Sequence, residues 1–578
     1  MPERRMLLGL CLFTLLAACV APPPPSALPL AATVSIQPTA TPHLTIAPAA
    51  TATATPAPTI SLNFLTPTAP ITSTPPLSPT PTPRPSVWSL PAQTIPEPFG
   101  VNIHFTAPVP GEMSRLEAVG VRWVRMDFFW SNIERERGRY DFTAYDGLVT
   151  TMERRNIRIL FILNYGNDLY GGGPAVLHDE GRRAFARFTS AAAARYRGRG
   201  IIWEIWNEPN LEKYWHAPPD PVAYARLVNA VVPAIRSVDP TALIIGPATV
   251  GFPWEYFDTL HATGALARLD AVSVHPYRGE APESALEQYL QLRARLDRLS
   301  PHRRMPILAS EWGYSTAGGW YTESVQAQYL IRQWLFHLTA DVELSIWYDW
   351  RNNGTDPADE QHNFGIVTYE LAPKTAYRAA QTLAQTLAGY TYQRRLPLDD
   401  LNDYVLLFQR DDQLALAAWT MATTTHAITL PLPCPAITLT QVTGNVQTLL
   451  PLAEQFTLEL DSAPRYVQLC TTEITQRWGY WKPEHNIWPI NNETTNRVLI
   501  AFDNPFWSPL HGDVRVVLHG QVIGEAPLAL PPGEQARVSI PLTLTQPLTT
   551  ATPAEVYFVT LDALPLQTAR IWLNPIQP

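Results

Sequence analysis

The chain has 578 residues, a formal net charge of −9 and 46% apolar residues, enough for more than one domain-sized core. No basic cluster stands out along it, which argues against a phosphate-backbone ligand and hence against a nucleic acid partner. Two or three folded domains are expected.

Near the N-terminus, Arg4 and Arg5 precede an apolar run from Leu7 to Ala18 that is too short to cross a bilayer as a helix. It reads as a signal peptide. Its end, Leu16-Ala17-Ala18-Cys19, resembles the bacterial lipobox. By that resemblance residues 1–19 are a lipoprotein signal and Cys19 is the lipidated first residue of the mature chain. The location expected is the cell envelope or extracellular side, with membrane contact through this lipid alone. Residues 20–97 are dominated by Pro, Thr, Ala and Ser, a composition that buries too little apolar surface to offset the entropy of ordering. A disordered tether is expected, reaching at most about 200 Å at about 3.1 Å per residue. Of the four cysteines, Cys11 leaves with the signal and Cys19 carries lipid, so Cys434 and Cys470 remain and are expected to pair outside the membrane, where disulfides persist.

Between Phe99 and Tyr390, short apolar runs alternate eight times with helical-period segments, the pattern of βα units around a parallel sheet. The strands read as Gly100–Phe105, Trp123–Phe129, Ile157–Tyr165, Ile201–Trp206, Leu243–Pro247, Ala271–His275, Pro306–Ser310 and Leu344–Tyr348. One intervening helix, Ala281–Leu299, places Leu286, Tyr289, Leu290, Leu292 and Leu296 near one face. No glycine-rich loop follows the first strand, so a closed (β/α)8 barrel over 98–390 is favoured over a dinucleotide-binding open sheet, and no cofactor is expected.

Active sites of such barrels form where strands end, and here strand ends carry His104, Arg125, Asp127, Asn164, Asn207, Glu208, His275, Tyr277, Glu311, Trp347, Asp349 and Trp350. Glu208 and Glu311, at the ends of the fourth and seventh strands, match the two carboxyl groups that glycoside cleavage requires. A separation of about 5 to 5.5 Å would imply retention of anomeric configuration, and about 6.5 to 9.5 Å inversion. Arg125, Tyr277 and His275 are candidates to stabilise an ionised Glu311, while Trp206 and Trp215 could supply a drier setting for Glu208. Glu204 shares strand parity with Glu208 but lies earlier, which predicts a structural carboxylate inside the barrel. Trp347 and Trp350 are the candidate sugar platforms among the 18 tryptophans. His104, Asp127 and His275 lack any metal-ligand spacing, so no metal is expected.

The segments Trp203-Glu-Ile-Trp-Asn-Glu-Pro-Asn210 and Pro306-Ile-Leu-Ala-Ser-Glu-Trp-Gly313 resemble glycoside hydrolase clan A, in which Asn-Glu ends strand four and Glu ends strand seven. The likeness is greater to family 39, through Asn207-Glu208-Pro209-Asn210 followed by Trp215, Asp270-Ala-Val-Ser-Val-His-Pro-Tyr277 and Trp347-Tyr-Asp-Trp350. The resemblance implies that Glu208 is acid/base, Glu311 nucleophile, Asn207 a contact to the sugar 2-hydroxyl and Tyr277 a partner of the nucleophile. Asn164, His275, Arg125 and His104 are expected to support substrate or site. The implied activity is a retaining glycosidase on a poly- or oligosaccharide, expected to act as a monomer. A transglycosylase or a non-catalytic sugar-binding surface protein stays open, and the substrate sugar, its linkage and endo or exo action are not coded by these motifs.

After Tyr390 the helical period gives way to short alternating runs. They predict one β-sandwich over 391–471 and a second, Ig-like, over 472–578. For the second, a spacing or stabilising role is favoured over carbohydrate binding through Trp478, Trp481 or Trp488.

Overall fold

Eight parallel strands, each buried on both faces, close into a barrel: β1 (Phe99–Asn102), β2 (Trp123–Phe129), β3 (Arg158–Asn164), β4 (Ile202–Ile205), β5 (Leu243–Val250), β6 (Ala271–His275), β7 (Ile307–Trp312) and β8 (Leu344–Trp347). Closure runs through β1, where Val101 pairs with Trp347 on one side and with Val124 on the other. The computed structural model describes residues 90–575 except 301–302, 397, 399, 401, 432–433, 452–454, 470–479, 484–486, 491–495, 504–509, 519–520, 532–533 and 561–564. The expected signal, Cys19 and residues 20–89 of the tether therefore fall outside the described residues, as do Cys470, Trp478 and the side chain of Trp481; residues 90–97, expected as tether, are instead packed on the folded chain, with Ile95 buried and Thr94 bridged to Thr391. Among the described residues, no helix is long and apolar enough to cross a membrane.

The barrel strands read as near-continuous apolar runs because both of their faces are covered. Trp123, Leu160, Ile162, Ile202, Ile245, Ala271, Leu308, Leu344 and Ile346 fill the interior. The alternate residues, such as Val124, Phe161, Leu163, Trp203, Val272 and Ala309, belong to the larger core between sheet and helices. Gly100 is required at the tight end of this interior, since a Cβ there would lie 2.4 Å from Ile346 and 2.7 Å from Trp123. The segment predicted as one helix from Ala281 divides into a 3-10 turn, Pro282–Ala285, and an α-helix, Leu286–Leu299.

Antiparallel strands follow: β9 (Thr391–Arg395), β10 (Asp403–Arg410), β11 (Gln413–Thr420), β12 (His426–Pro431), β13 (Ile437–Gln441), β14 (Val446–Leu449), β15 (Gln455–Leu460) and β16 (Arg465–Gln468). A six-stranded sheet in the order β14-β13-β16-β11-β10-β9 faces the pair β12-β15. Val405, Leu407, Leu414, Leu416 and Ala418 pack on Leu430, Phe456 and Leu458 of that pair. The opposite parity, with Tyr404, Leu406, Phe408, Ala415, Ala417 and Trp419, is part of the barrel's own core. Trp419 Nε1 donates to Glu283 Oε1 at 2.7 Å, and Glu283 in turn accepts both ends of the Arg332 guanidinium at 2.7 Å. Cys434 is buried and disulfide-bonded.

Strands between Tyr480 and Pro575 form a three-stranded and a five-stranded sheet around a separate core of Val498, Ile500, Val514, Val516, Ile540 and Ile571. Trp488 is 7% exposed and packs in that core, where it serves packing and presents no sugar-binding face.

Candidate active site

Parity along β2 sends Arg125 into the barrel beside Trp123, and its guanidinium organises the site. Nε donates to Glu204 Oε2 at 2.7 Å, Nη1 to Glu311 Oε2 at 2.5 Å and Nη2 to Asn207 Oδ1 at 2.8 Å. Arg125 and Glu204 are fully buried. Glu204 is thus the internal partner expected of it: burial alone would raise its pKa, but Arg125 and the surrounding donors lower it below the usual carboxylate value. Because Asn207 accepts through Oδ1, its amide nitrogen is the edge left for another acceptor.

Glu311, near the end of β7, takes a second donor on its other oxygen, the Tyr277 hydroxyl at 2.9 Å, and Asn102 Nδ2 lies 3.4 Å from Oε2. Three donors thus converge on one carboxylate. Gly313, two residues on, fits where a Cβ would lie 1.6 Å from the Tyr348 carbonyl oxygen, so β7 and β8 leave the barrel in close backbone contact.

Glu208 is set differently. It and Trp206 have positive φ, 47° and 68°, an uncommon state for residues other than glycine, found where function holds the backbone. The Glu208 amide donates to Ala248 O at 3.1 Å, and Ala248 itself sits at φ 55° where the β5–β6 register shifts. A bulge in β5 therefore supplies the anchor for the Glu208 turn. Trp206 and Trp215 are buried behind it, 5.4 Å apart. Burial raises the Glu208 pKa from 4.5 to about 7, against partial lowering by Arg125 and Lys213.

His275 contacts Glu208, with Nδ1 2.8 Å from Oε1, and does not hydrogen-bond to Glu311 as its sequence position suggested. Burial lowers its pKa to about 4, so the ring is neutral near pH 7. Its Nε2 lies 3.3 Å from Arg125 Nη2, which can only donate, and 3.1 Å from Ser310 Oγ. This network assigns the ring proton to Nδ1, facing Glu208 Oε1. The acidic proton of Glu208 then belongs on Oε2.

At the rim, His104 Nε2 pairs with Asp349 Oδ2 at 3.1 Å. Burial would lower the His104 pKa, but Asp349, with smaller contributions from Asp127 and Glu311, raises it to about 9. Asn164 is fully buried and donates to Asp127 Oδ1 at 2.6 Å, so it positions Asp127 and has no exposed edge for substrate. Trp347 and Trp350 are 0% and 1% exposed, which corrects their expected role as sugar platforms. Ile346 faces the barrel interior, so Trp347 turns outward against Tyr314. Trp350 Nε1 donates to Glu112 Oε1 at 3.1 Å, inside the helical layer.

The strand-end reasoning missed Asn102 and Ser310. Ser310 immediately precedes Glu311, and Asn102 ends the observed β1, so both signals were present in the sequence. Glu208, His275 and Glu311 each offer a ligand atom within 4.8 Å of the others. Nδ1 of His275 is nevertheless engaged by Glu208, and Arg125 already places a cation on Glu311, which opposes a divalent ion there.

The same distance brings one carboxylate oxygen of Glu208 and one of Glu311 within 4.8 Å across the barrel mouth. Residues 99–354 match the profile of Cellulase (glycosyl hydrolase family 5). The chain is 28% identical to "Beta-xylosidase" from Geobacillus stearothermophilus over 33% of its own length and 45% of that protein, so it spans less than half of that curated relative. Among solved structures, a family 39 glycoside hydrolase from Bacteroides cellulosilyticus WH2 superposes with a TM-score of 0.58 at 23% identity, covering 66% of this chain and 81% of that one. A monomeric beta-xylosidase from Caulobacter crescentus CB15 gives 0.50 at 17% identity over 66% and 98%. These two likenesses are of fold.

Proposed function

We propose that this chain is a retaining glycosidase of the clan A type, similar to family 39, in which Glu208 is acid/base and Glu311 nucleophile. The observation that carries the proposal is the pair itself. Each carboxyl group places an oxygen within 4.8 Å of one on the other, which suits the roughly 5 to 5.5 Å of double displacement better than the roughly 6.5 to 9.5 Å of inversion.

The chemistry follows from how each group is held. Glu311, charged and fixed by Arg125 and Tyr277, attacks the anomeric carbon as the C–O bond to the leaving group breaks. Glu208, kept protonated by burial, passes its Oε2 proton to the departing oxygen. Neutral His275 keeps Oε1 engaged meanwhile and so orients the acid. The resulting Glu208 carboxylate then takes a proton from water, which attacks the glycosyl-enzyme and releases the sugar with its original anomeric configuration. The Asn207 amide nitrogen is the donor available to the 2-hydroxyl. The names of the relatives support a β-xylosidic or related β-linked substrate.

Proton NMR of the first product formed from aryl β-glycosides, with the xyloside first in the panel, tests this reading. Initial accumulation of the β-anomer is expected; initial α-anomer would overturn it. The tether and Cys19 support a further part of the reading, an enzyme held outside the cell on a lipid. Palmitate labelling that persists in Cys19→Ser would reject it.

A further inference from the structure

Exposed aromatics are unevenly distributed over the described residues. Two large aromatic side chains stand well out into solvent, Trp320 at 78% and Tyr369 at 49% exposure. Both lie in loops leaving the C-terminal ends of β7 and β8, the face that carries Glu208 and Glu311. An exposed indole is the costliest apolar group to leave in water, and the loop that bears it is firmly fastened. Gly318 N donates to Pro357 O at 3.2 Å, Thr316 N to Asn363 O at 3.2 Å and Ser315 Oγ to Glu360 O at 2.8 Å, tying the loop to the segment after β8. On its other side, the hydroxyls of Tyr314 and Tyr321 donate to Glu280 O at 2.8 Å and Gly279 O at 2.6 Å in the loop after β6.

The indole itself is seated. A Cβ added to Gly318, whose φ is +61°, would lie 3.2 Å from Trp320 Cδ1 and 3.4 Å from Nε1. One edge of the ring therefore rests on glycine backbone while most of its surface stays open. A flat apolar group held in place before any ligand arrives loses little freedom on binding, and its π face suits the C–H face of a pyranose ring.

We propose that Trp320 is a stacking platform for a sugar unit remote from the cleaved bond, so that the catalytic face accepts a polysaccharide chain and is not confined to a terminal residue. The proposal rests on the glycosidase reading and adds to it the substrate class, a polymer. Trp320 takes the place that Trp347 and Trp350, being buried, cannot fill.

Steady-state kinetics of Trp320→Ala and Trp320→Phe in the full chain, on soluble xylan, glucan and mannan and on the matching aryl monoglycosides, test it. The alanine variant is expected to raise KM for the polymer about tenfold and the phenylalanine variant much less. The monoglycoside, which ends short of the platform, is expected to change by less than twofold. Equal KM for polymer in wild type and Trp320→Ala, with activity intact, would overturn the platform and leave the glycosidase reading standing. Absence of any glycoside cleavage by the wild-type chain would sink both.

Discussion

Arg125 Nη1 lies 2.5 Å from Glu311 Oε2, while the same guanidinium holds Glu204 through Nε. One buried cation therefore serves the proposed nucleophile and a structural carboxylate. Arg125→Met leaves Glu204 charged and unpaired in the interior, and a loss of about 3–5 kcal/mol in folding stability is expected. Urea denaturation measures it; a loss below about 1 kcal/mol would mean that Glu204 does not depend on this pair.

Tyr277→Phe removes one of the donors on Glu311 and nothing from the core. A tenfold or greater drop in kcat, about 1.4 kcal/mol of transition-state stabilisation, is expected with little change in melting temperature. An unchanged kcat would show that the hydroxyl does not serve the nucleophile.

Glu208→Gln and Glu311→Gln are each expected to lower kcat by roughly a hundred- to ten-thousand-fold or more. The alanine variants separate the roles. Azide is expected to rescue both on activated aryl glycosides, with the β-glycosyl azide from Glu208→Ala and the α-anomer from Glu311→Ala. The same anomer from both variants would contradict the assignment.

The raised pKa of Glu208 has a sign that two experiments can read. Its acid form carries the reaction, so kcat/KM is expected to fall as pH rises through about 7. Between 4.5 and about 7 the folded chain holds a proton that the unfolded chain has lost, so stability falls with rising pH across that window, by roughly 3 kcal/mol. Glu208→Gln cannot titrate and is expected to lose less stability between pH 4.5 and 8. Parallel stability–pH curves for the two proteins would show that burial does not hold this carboxyl neutral.

Trp419 and Glu283 join sandwich to barrel through a buried hydrogen bond. Trp419→Phe, which keeps an aromatic ring but removes the donor and leaves a small cavity, is expected to cost about 1–3 kcal/mol in thermal unfolding of the whole chain. Two separate transitions for barrel and sandwich would contradict a shared core.

The barrel was legible because its strands are apolar on both faces, and the boundaries of β2 and β6 follow from the sequence alone. β5 outruns its expected end at Pro247 because a bulge at Ala248 carries the chain on to Val250. The carboxylates were found because each stands at a strand end, a position that pattern reading resolves. Which carboxylate His275 serves was not legible, since that depends on how far β4, β6 and β7 stand apart once the barrel closes. Trp347 was misread for a simpler reason: alternation from Ile346 already pointed it outward, and its strand-end position was given more weight than its parity.

One side of the six-stranded sheet completes the core that surrounds the barrel, while the strands after Tyr480 keep an interior of their own. The natural cut for recombinant work is therefore between Cys470 and Tyr480, which keeps the expected partner of Cys434, not at residue 390. A fragment ending there keeps the core that barrel and six-stranded sheet share, whereas one ending at the last barrel helix would expose a broad apolar face and aggregate.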